Sequence, residues 1–467
     1  MQHKRTKIVC TVGPASAAPS MLVRMMHAGM DVARLNFSHG THDEHKKLLK
    51  AIRGAAKKVG KTVGILQDLQ GPKIRVGELP KEGVELHKAE EITLTTTAIS
   101  YKTGGPIPVT HKTLHNDVHA GHRILFDDGT IEVKVERVRG KNIFAKVTVP
   151  GVLKSHKGMN LPDSTIDADP FTAKDRDDLL FGVENGVDWV VLSFVTGADD
   201  IRIARKLATA AARTYGVRPP KIMAKVERRA ALDKLAEIIA ASDGVLLGRG
   251  DLGVEIPPEE VPVVQKDVVE ACRRAGKPVI VATQMLNSMT DSPRATRAET
   301  ADVANAVFDH ADAVMLSAES ASGRYPAVAV QAMAAVIAEA EKSHYDDIRG
   351  VALVVKDLPT ALAESLHVLA ASKLIAAVAV VASHGDLAAK ANMFRLDIPL
   401  YVVCPDDALA RQMTMSAGVH ALVMDDSPAS FPSRFVQKLK KEKALTRGGR
   451  VALLLTSGNE VRLSVIG

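Results

Sequence analysis

Cysteine is scarce: the 467 residues include only three, Cys10, Cys272 and Cys404, far apart in the chain. That spacing builds neither a disulfide framework nor a zinc site. Aromatic residues make up 3%, and none interleave with basic residues as a base-stacking surface requires, so no nucleic acid partner is expected. Long apolar runs are missing as well. The longest, Leu374 to Ala382, is half of the roughly 18–20 residues a spanning helix needs, so no membrane partner is expected. Met1 to Lys7 is basic, but "IVCT" runs straight into Gly13-Pro14 without the apolar stretch of a secretory signal. The expected location is cytoplasmic. There are no internal repeats and no low-complexity tracts.

What is present is a large soluble chain. Its length implies two to four domains, and 46% hydrophobic with 25% charged residues is an ordinary globular balance. A formal charge of +7 and a pI near 9.1 favour anionic ligands, phosphorylated metabolites among them. Eight short runs are almost wholly apolar: "KIVCT" (7–11), "VARLN" (32–36), "VGILQD" (63–68), "WVVLS" (189–193), "KIMAK" (221–225), "GVLL" (244–247), "VIVA" (279–282) and "AVMLS" (313–317). Such runs mark parallel strands buried on both faces. Amphipathic stretches such as Pro19–His27 and Asp199–Tyr215 separate most of them. The fold class is therefore α/β, a (β/α)8 TIM barrel.

Two regions break the pattern. Residues 71 to 167 alternate with period two in "EITLTTTA", "TIEVKVERV" and "NIFAKVTV", which implies a small inserted β-barrel domain placed as a lid. The barrel would then comprise 1–70 and 168–342. From 343 to 467, "AAVAVVAS", "LYVVC", "HALVMD" and "VALLLT" alternate with helical segments, giving a C-terminal α/β domain.

Asn36, Asp68, Lys225, Asp251, Thr283 and Ser317 fall at or just past the C-terminal ends of the eight runs, where barrel enzymes keep their chemistry. Three tempting motifs are weaker. "GAAKKVGKT" has one residue too many between its glycines for a phosphate loop and precedes a strand. His39, His42 and His45 are three apart, but no carboxylate or cysteine set completes a metal site, so His42 and His45 read as a solvated helix start. Arg249-Gly250-Asp251 reads as a strand-end turn, not a surface adhesion tripeptide. By contrast, Glu227 and Asp251 on neighbouring loops are a carboxylate pair suited to Mg²⁺, and Lys225 beside them can neutralise a transferring phosphoryl group. Either carboxylate alone could equally be part of a structural ion pair. Gly248 and Gly250 let backbone N–H groups approach an anion. Arg34 and Arg75 offer forked donors to phosphate. Thr283 and Ser317 bring hydroxyls to the rim or cap helices.

With those residues placed, the chain resembles the pyruvate kinase family along essentially its whole length. "TKIVCTVGPAS", "ARLNFSHG", "DLQGPKIRVG", "LKSHKGMNLP", "GRGDLGVEIP", "ATQMLNSM" and "MLSAESASGRYP" follow in family order. The resemblance implies phosphoryl transfer from phosphoenolpyruvate to ADP, giving pyruvate and ATP, by a homotetramer using Mg²⁺ or Mn²⁺. It implies that Lys225 bridges phosphoryl and enolate, that Glu227 and Asp251 hold the metal, and that Gly250 and Asp251 offer backbone N–H groups to the substrate carboxylate. Arg34 would contact the phosphoryl and Thr283 orient the substrate, with Ser317 and Glu319 in an outer proton relay. Asn36, His39, Arg75 and Lys157 would lie on the nucleotide side.

Two departures from the family pattern carry information. Asn36, Ser38, Asp68 and the Leu69 carbonyl match the family's monovalent-cation site, whose K⁺-dependent members carry Glu in the Gly-Pro-x-Ile-Arg motif. Here that position is Lys73, similar to members that work without K⁺; its ammonium is expected to replace the bound cation, making activity independent of K⁺. In the C-terminal domain, "ASHGDLAAK" has Ser383 but places Asp386 and Leu387 where a sugar-phosphate loop has hydroxyls, which argues against activation by fructose bisphosphate. The competing readings are another metal-dependent barrel enzyme acting on pyruvate or phosphoenolpyruvate, and a non-catalytic phosphometabolite sensor.

Overall fold

The computed structural model describes residues 4–164, 171–346, 357–381, 387–424, 431–441, 449–457 and 460–466. Eight strands close into a parallel barrel in chain order: Lys7–Thr11, Val32–Asn36, Gly64–Asp68, Trp189–Leu192, Lys221–Val226, Gly244–Gly248, Val279–Ala282 and Ala313–Leu316. They coincide with the eight apolar runs to within two residues at each end. Successive side chains on a strand point to opposite faces, which explains why the runs are apolar throughout. Val9, Val32, Leu66, Val191, Met223, Leu246 and Ile280 fill the barrel interior. Their neighbours Ile8, Ala33, Ile65, Val190, Ile222, Val245 and Val281 pack outward with the surrounding helices.

Local signals fix the helices. Pro19 opens the first, Pro19–Ala28, as a residue with preset φ and no N–H should. Thr41 and Glu44 form a reciprocal capping box on His42–Val59, which ends at Gly60 in the left-handed conformation. The "GAAKKVGKT" segment is therefore a helix end. The solvated-start reading holds for His42 but not for His45, which is 5% exposed.

Between the third and fourth barrel strands lies a six-stranded sheet that includes Glu91–Thr95, Ile131–Arg139 and Asn142–Val149, beside a two-stranded one. Its own core gathers Ile74, Val76, Ile124, Phe126, Val133 and Ile143. After the barrel, a five-stranded sheet places Ala377–Val381 between Leu400–Cys404 and Val451–Ser457. The edge strand Glu460–Ile466, antiparallel to its neighbour, was not among the expected strands. Its sequence mixes Glu460, Arg462 and Ser464 with apolar residues, so it lacks the continuous run of the buried strands.

The C-terminal part seals the N-terminal end of the barrel. Met415 joins the interior core, Trp189 Nε1 donates to the Gln412 carbonyl, and Lys7 Nζ donates to the Val419 carbonyl. Asp312, fully buried, accepts from Arg395, Asn392 and the Ala417 N–H.

Asp31, just before the second strand, accepts from the Ile8 N–H at 2.9 Å, lies 3.0 Å from Lys61 Nζ, and pairs with Lys4. Burial pushes its pKa up, but Lys4, Lys61 and Lys7 together pull it well below the ordinary value. As pH falls, the unfolded chain therefore takes up this proton first, at about pH 4. The stability Asp31 contributes is full above that pH and lost as pH drops through the lower folded value. Asp31→Asn should thus be less stable than the parent at neutral pH, with the gap shrinking below about pH 4 in urea titrations. A gap independent of pH would show that the charge is not the source.

Candidate active site

At the C-terminal mouth of the barrel four charged side chains meet out of water. Arg34, on the second strand, donates from Nε and Nη2 to Asp68 Oδ2 at 2.8 and 2.6 Å, and from Nη1 to Thr11 Oγ1 at 2.8 Å. Lys225 Nζ lies 3.8 Å from Asp68 Oδ2 and 2.7 Å from Glu227 Oε1. Burial lowers the Lys225 pKa, yet the Asp68 and Glu227 carboxylates raise it further, so it stays an ammonium. Asp68 is 1% exposed. Burial raises its pKa, and Lys225 and Arg34 outweigh that, holding it ionised.

Glu227 has no solvent exposure, and its pKa is pushed up to about 8, chiefly by burial, with Lys225 opposing and Asp251 adding to the rise. Its Oε2 accepts from the Phe194 N–H at 3.2 Å. Oε1 is buried with no hydrogen-bond partner among the described residues, the Lys225 contact being off hydrogen-bond geometry. Asp251 follows in the short helix Arg249–Glu255. Two neighbouring acids, one with a buried oxygen whose nearest cation is off hydrogen-bond geometry, fit a divalent cation, which would also ionise Glu227. The glycine at 248 makes this possible: a Cβ there would sit 2.8 Å from Glu227 Cγ and 2.9 Å from Oε1.

Thr283 follows the seventh strand in a left-handed conformation, φ +73°, as does Gln284 at +55°, a strained state for side-chain-bearing residues. It is held on both sides. Its Oγ1 accepts from the Gly250 N–H at 2.7 Å, and its carbonyl accepts from Arg249 Nη2 at 2.9 Å. Arg249 is braced in turn by both oxygens of Asp302, each at 2.7 Å. The Gly250 N–H expected to face a substrate carboxylate is thus engaged by Thr283. Ser317 stands at an N-cap position, but its side chain makes no cap hydrogen bond. Glu319, 1% exposed, accepts from the Ser317 and Leu286 N–H groups at 2.7 and 3.1 Å. It ties two loops together.

Around the third strand end, Asn36 pairs with Asp68 in the sheet register, and Asn36 Oδ1 accepts from the Ser38 N–H at 3.1 Å. Ser193 Oγ donates to the Leu69 carbonyl at 2.7 Å and lies 3.2 Å from Asp68 Oδ1. Asn36, Asp68 and Leu69 thus share one corner. Lys73 is not in it: exposed, it makes no ion pair with Asp68. It lines the cleft between the inserted β region and the barrel with Asp128, Asn160, Arg228, Asp251 and Glu255. The chain passes through Gly71 (φ +68°), where a Cβ would meet Ser193 and Phe194 at 3.0 Å, and so swings Lys73 away from the strand axis. Arg75 Nη1 donates to the His156 carbonyl at 2.7 Å, and Lys157 Nζ pairs with Asp127 at 2.7 Å. Lys73, Arg75 and Lys157 thus gather around Gly158 where the inserted β region meets the barrel. His39 is exposed beside Asn36.

Three contributors were not anticipated. Ser193 and Thr11 end apolar runs like the six residues singled out, so the same rule would have found them. Arg249 was noted only for its flanking glycines; its partner Asp302 lies 53 positions away, and no local pattern links them. Among the described residues no helix is long and apolar enough to cross a membrane. The expected effector loop with Ser383 and Asp386 lies outside the described residues.

A parallel barrel with buried carboxylates and an ammonium at its mouth, and a β region beside it, has the layout of a barrel enzyme. Two family models match the chain: "Pyruvate kinase, barrel domain" over residues 3–330 and "Pyruvate kinase, alpha/beta domain" over 360–462. A pyruvate kinase of Agrobacterium vitis is 42% identical over 424 residues, 90% of this chain and 88% of that one. One of Staphylococcus saprophyticus is 42% identical over 427 residues, covering 90% and 72%. A crystal structure of a pyruvate kinase from Cryptosporidium parvum superposes with a TM-score of 0.92 at 32% identity, covering 99% and 96%. The chain belongs to the pyruvate kinase family and is a pyruvate kinase enzyme, which sets aside the sensor and the other barrel enzymes.

Gly248→Ala should displace the Glu227 carboxylate. We expect turnover to fall at least about tenfold and the half-saturating concentration of divalent ion to rise, with circular dichroism unchanged. Parental kinetics in this variant would contradict the close packing.

Proposed function

We propose that the enzyme carries out a Mg²⁺-dependent, K⁺-independent transfer of phosphoryl from phosphoenolpyruvate to ADP, as the last step of glycolysis in the cytoplasm. The observation that carries the reading is the buried Arg34–Asp68–Lys225–Glu227 group at the barrel mouth. Glu227 and Asp251 would hold Mg²⁺ or Mn²⁺, which when bound supplies Lewis-acid charge to the enol and phosphoryl oxygens. Lys225 and Arg34 bind the phosphoryl oxygens and neutralise charge as the bond from phosphorus to the enol oxygen breaks and the bond to the ADP oxygen forms. Gly250 and Asp251 take the substrate carboxylate, with Thr283 Oγ1 turning to release the Gly250 N–H. Thr283 orients the enolate. The proton that completes pyruvate arrives through water, with Ser317 and Glu319 in the outer network. Asn36, His39, Arg75 and Lys157 receive the nucleotide.

The domain reading follows: 1–70 and 168–342 as the barrel, 71–167 as a closing lid, 343–467 as the C-terminal domain, in a homotetramer. Its 167/168 boundary falls outside the described residues. K⁺ independence rests on Lys73, whose ammonium adds fixed positive charge to the mouth where K⁺-dependent relatives carry Glu. The support is the charge it brings to the cleft of Asp251 and Asp128, not a contact with Asp68.

Initial rates with phosphoenolpyruvate and ADP test the whole. Lys225→Met should abolish turnover while the fold persists by circular dichroism; undiminished turnover would refute the role of Lys225. Replacing KCl with a matched tetramethylammonium salt should leave the rate unchanged, and a several-fold stimulation by K⁺ would sink the role of Lys73.

A further inference from the structure

Several backbone groups of the turn after the second barrel strand have identified partners. The Phe37 N–H donates to the Asp68 carbonyl at 2.9 Å, and the Phe37 carbonyl accepts from Lys174 Nζ at 2.8 Å. The Ser38 N–H goes to Asn36 Oδ1. The His39 carbonyl would be left over, and it takes the Nε2–H of His45 at 2.9 Å. His45 comes from the second turn of the helix His42–Val59, which the Thr41–Glu44 box fixes in place. Its ring lies flat on Phe37, with centroids 3.9 Å apart and planes 7° apart. Gly40 (φ +81°) brings the chain over the imidazole, so that a Cβ there would sit 3.4 Å from Nε2.

The other ring nitrogen, Nδ1, is buried with no partner among the described residues. Burial holds the ring's pKa below its ordinary value against the opposing pull of the His39 carbonyl and Asp178, so the ring stays neutral. The Nε2–H tautomer follows, because the carbonyl of His39 can only accept. This histidine is therefore a fixed single donor.

The barrel order says what the turn can meet. The second strand stands opposite the sixth in the closed ring. Glu227, Asp251 and Thr283, which follow the fifth, sixth and seventh strands, occupy the far side. Arg34 and Asp68, from the second and third strands, meet Lys225 of the fifth across the mouth. The proposed reading puts Asn36 and His39 on the nucleotide side, so the turn after the second strand is the wall that reading assigns to the acceptor.

We infer that His45 is a positioning residue for a nucleoside diphosphate, fixing the His39 carbonyl and thereby the Asn36–Gly40 turn that receives the acceptor's phosphates. The inference rests on the pyruvate kinase reading above and deepens it. His45 touches neither reactant and acts only through the turn. A histidine that merely filled the core would alter stability and both substrates together. A residue that shapes one wall of the acceptor site alters the acceptor alone.

His45→Phe keeps the ring and its stack on Phe37 but removes the donor; His45→Gln restores an amide N–H where Nε2 lay. The Phe variant should raise KM for ADP about tenfold, the worth of one hydrogen bond, with KM for phosphoenolpyruvate within twofold. The Gln variant should recover most of the loss. Unchanged KM for ADP in the Phe variant, or equal rises for both substrates with a lowered Tm, would overturn the inference. If the Phe variant does not fold, His45→Gln against His45→Asn makes the same comparison, since Asn reaches only toward Nδ1; equal KM values for ADP would then overturn it. A parent protein that does not transfer phosphoryl from phosphoenolpyruvate to ADP would instead overturn the underlying reading, so the two failures are distinguishable.

Discussion

The structure turns on a mutual neutralisation of charge inside the barrel mouth. Asp68 and Glu227 are almost wholly buried, and an ionised carboxylate at either place would be costly alone. Arg34 and Lys225 are cations that reach in from the rim, a little less buried than the acids. Each is acceptable only because the others are present, and the ring of parallel strands is what keeps them within contact. The balance is incomplete at Glu227, where one oxygen has no hydrogen-bond partner and the carboxyl resists ionisation. That residual imbalance is the chemical opening: a site that satisfied itself entirely would have nothing to offer a metal or an anion.

Much of this could be read from the chain because the barrel imposes a simple rule on sequence. Strands buried on both sides must be apolar throughout, so each polar residue at a strand end stands out against its neighbours. Asn36, Asp68, Lys225, Thr283 and Ser317 were visible for that reason. Ser193 obeyed the same rule and was passed over, although it bonds the Leu69 carbonyl beside Asp68. Lys73 shows the limit of the rule. Its identity is legible, but its direction depends on Gly71 taking a left-handed turn against Ser193 and Phe194, a tertiary constraint that no local pattern carries.

His45 failed for a related reason. Helix periodicity places it near a helix start where histidines are usually solvated, and the capping box confirms the helix. Burial came from Phe37, a residue of the preceding turn, folding back onto it. The edge strand Glu460–Ile466 was missed because a strand with one open flank needs no continuous apolar run, so its pattern resembles a loop. Arg249 and Asp302 meet through the closed ring alone.

The floor of the barrel has a bearing on how the chain can be divided. Met415 sits among the residues that fill the barrel interior, and Trp189, Lys7 and Asp312 all satisfy their polar atoms on the C-terminal part. The barrel is therefore not a self-contained vessel onto which a further domain has been added. Its lower end is a stopper borrowed from the last third of the chain. Any cut that separates the two would leave an open apolar well and a buried aspartate without its arginine, so the unit that can fold is the pair.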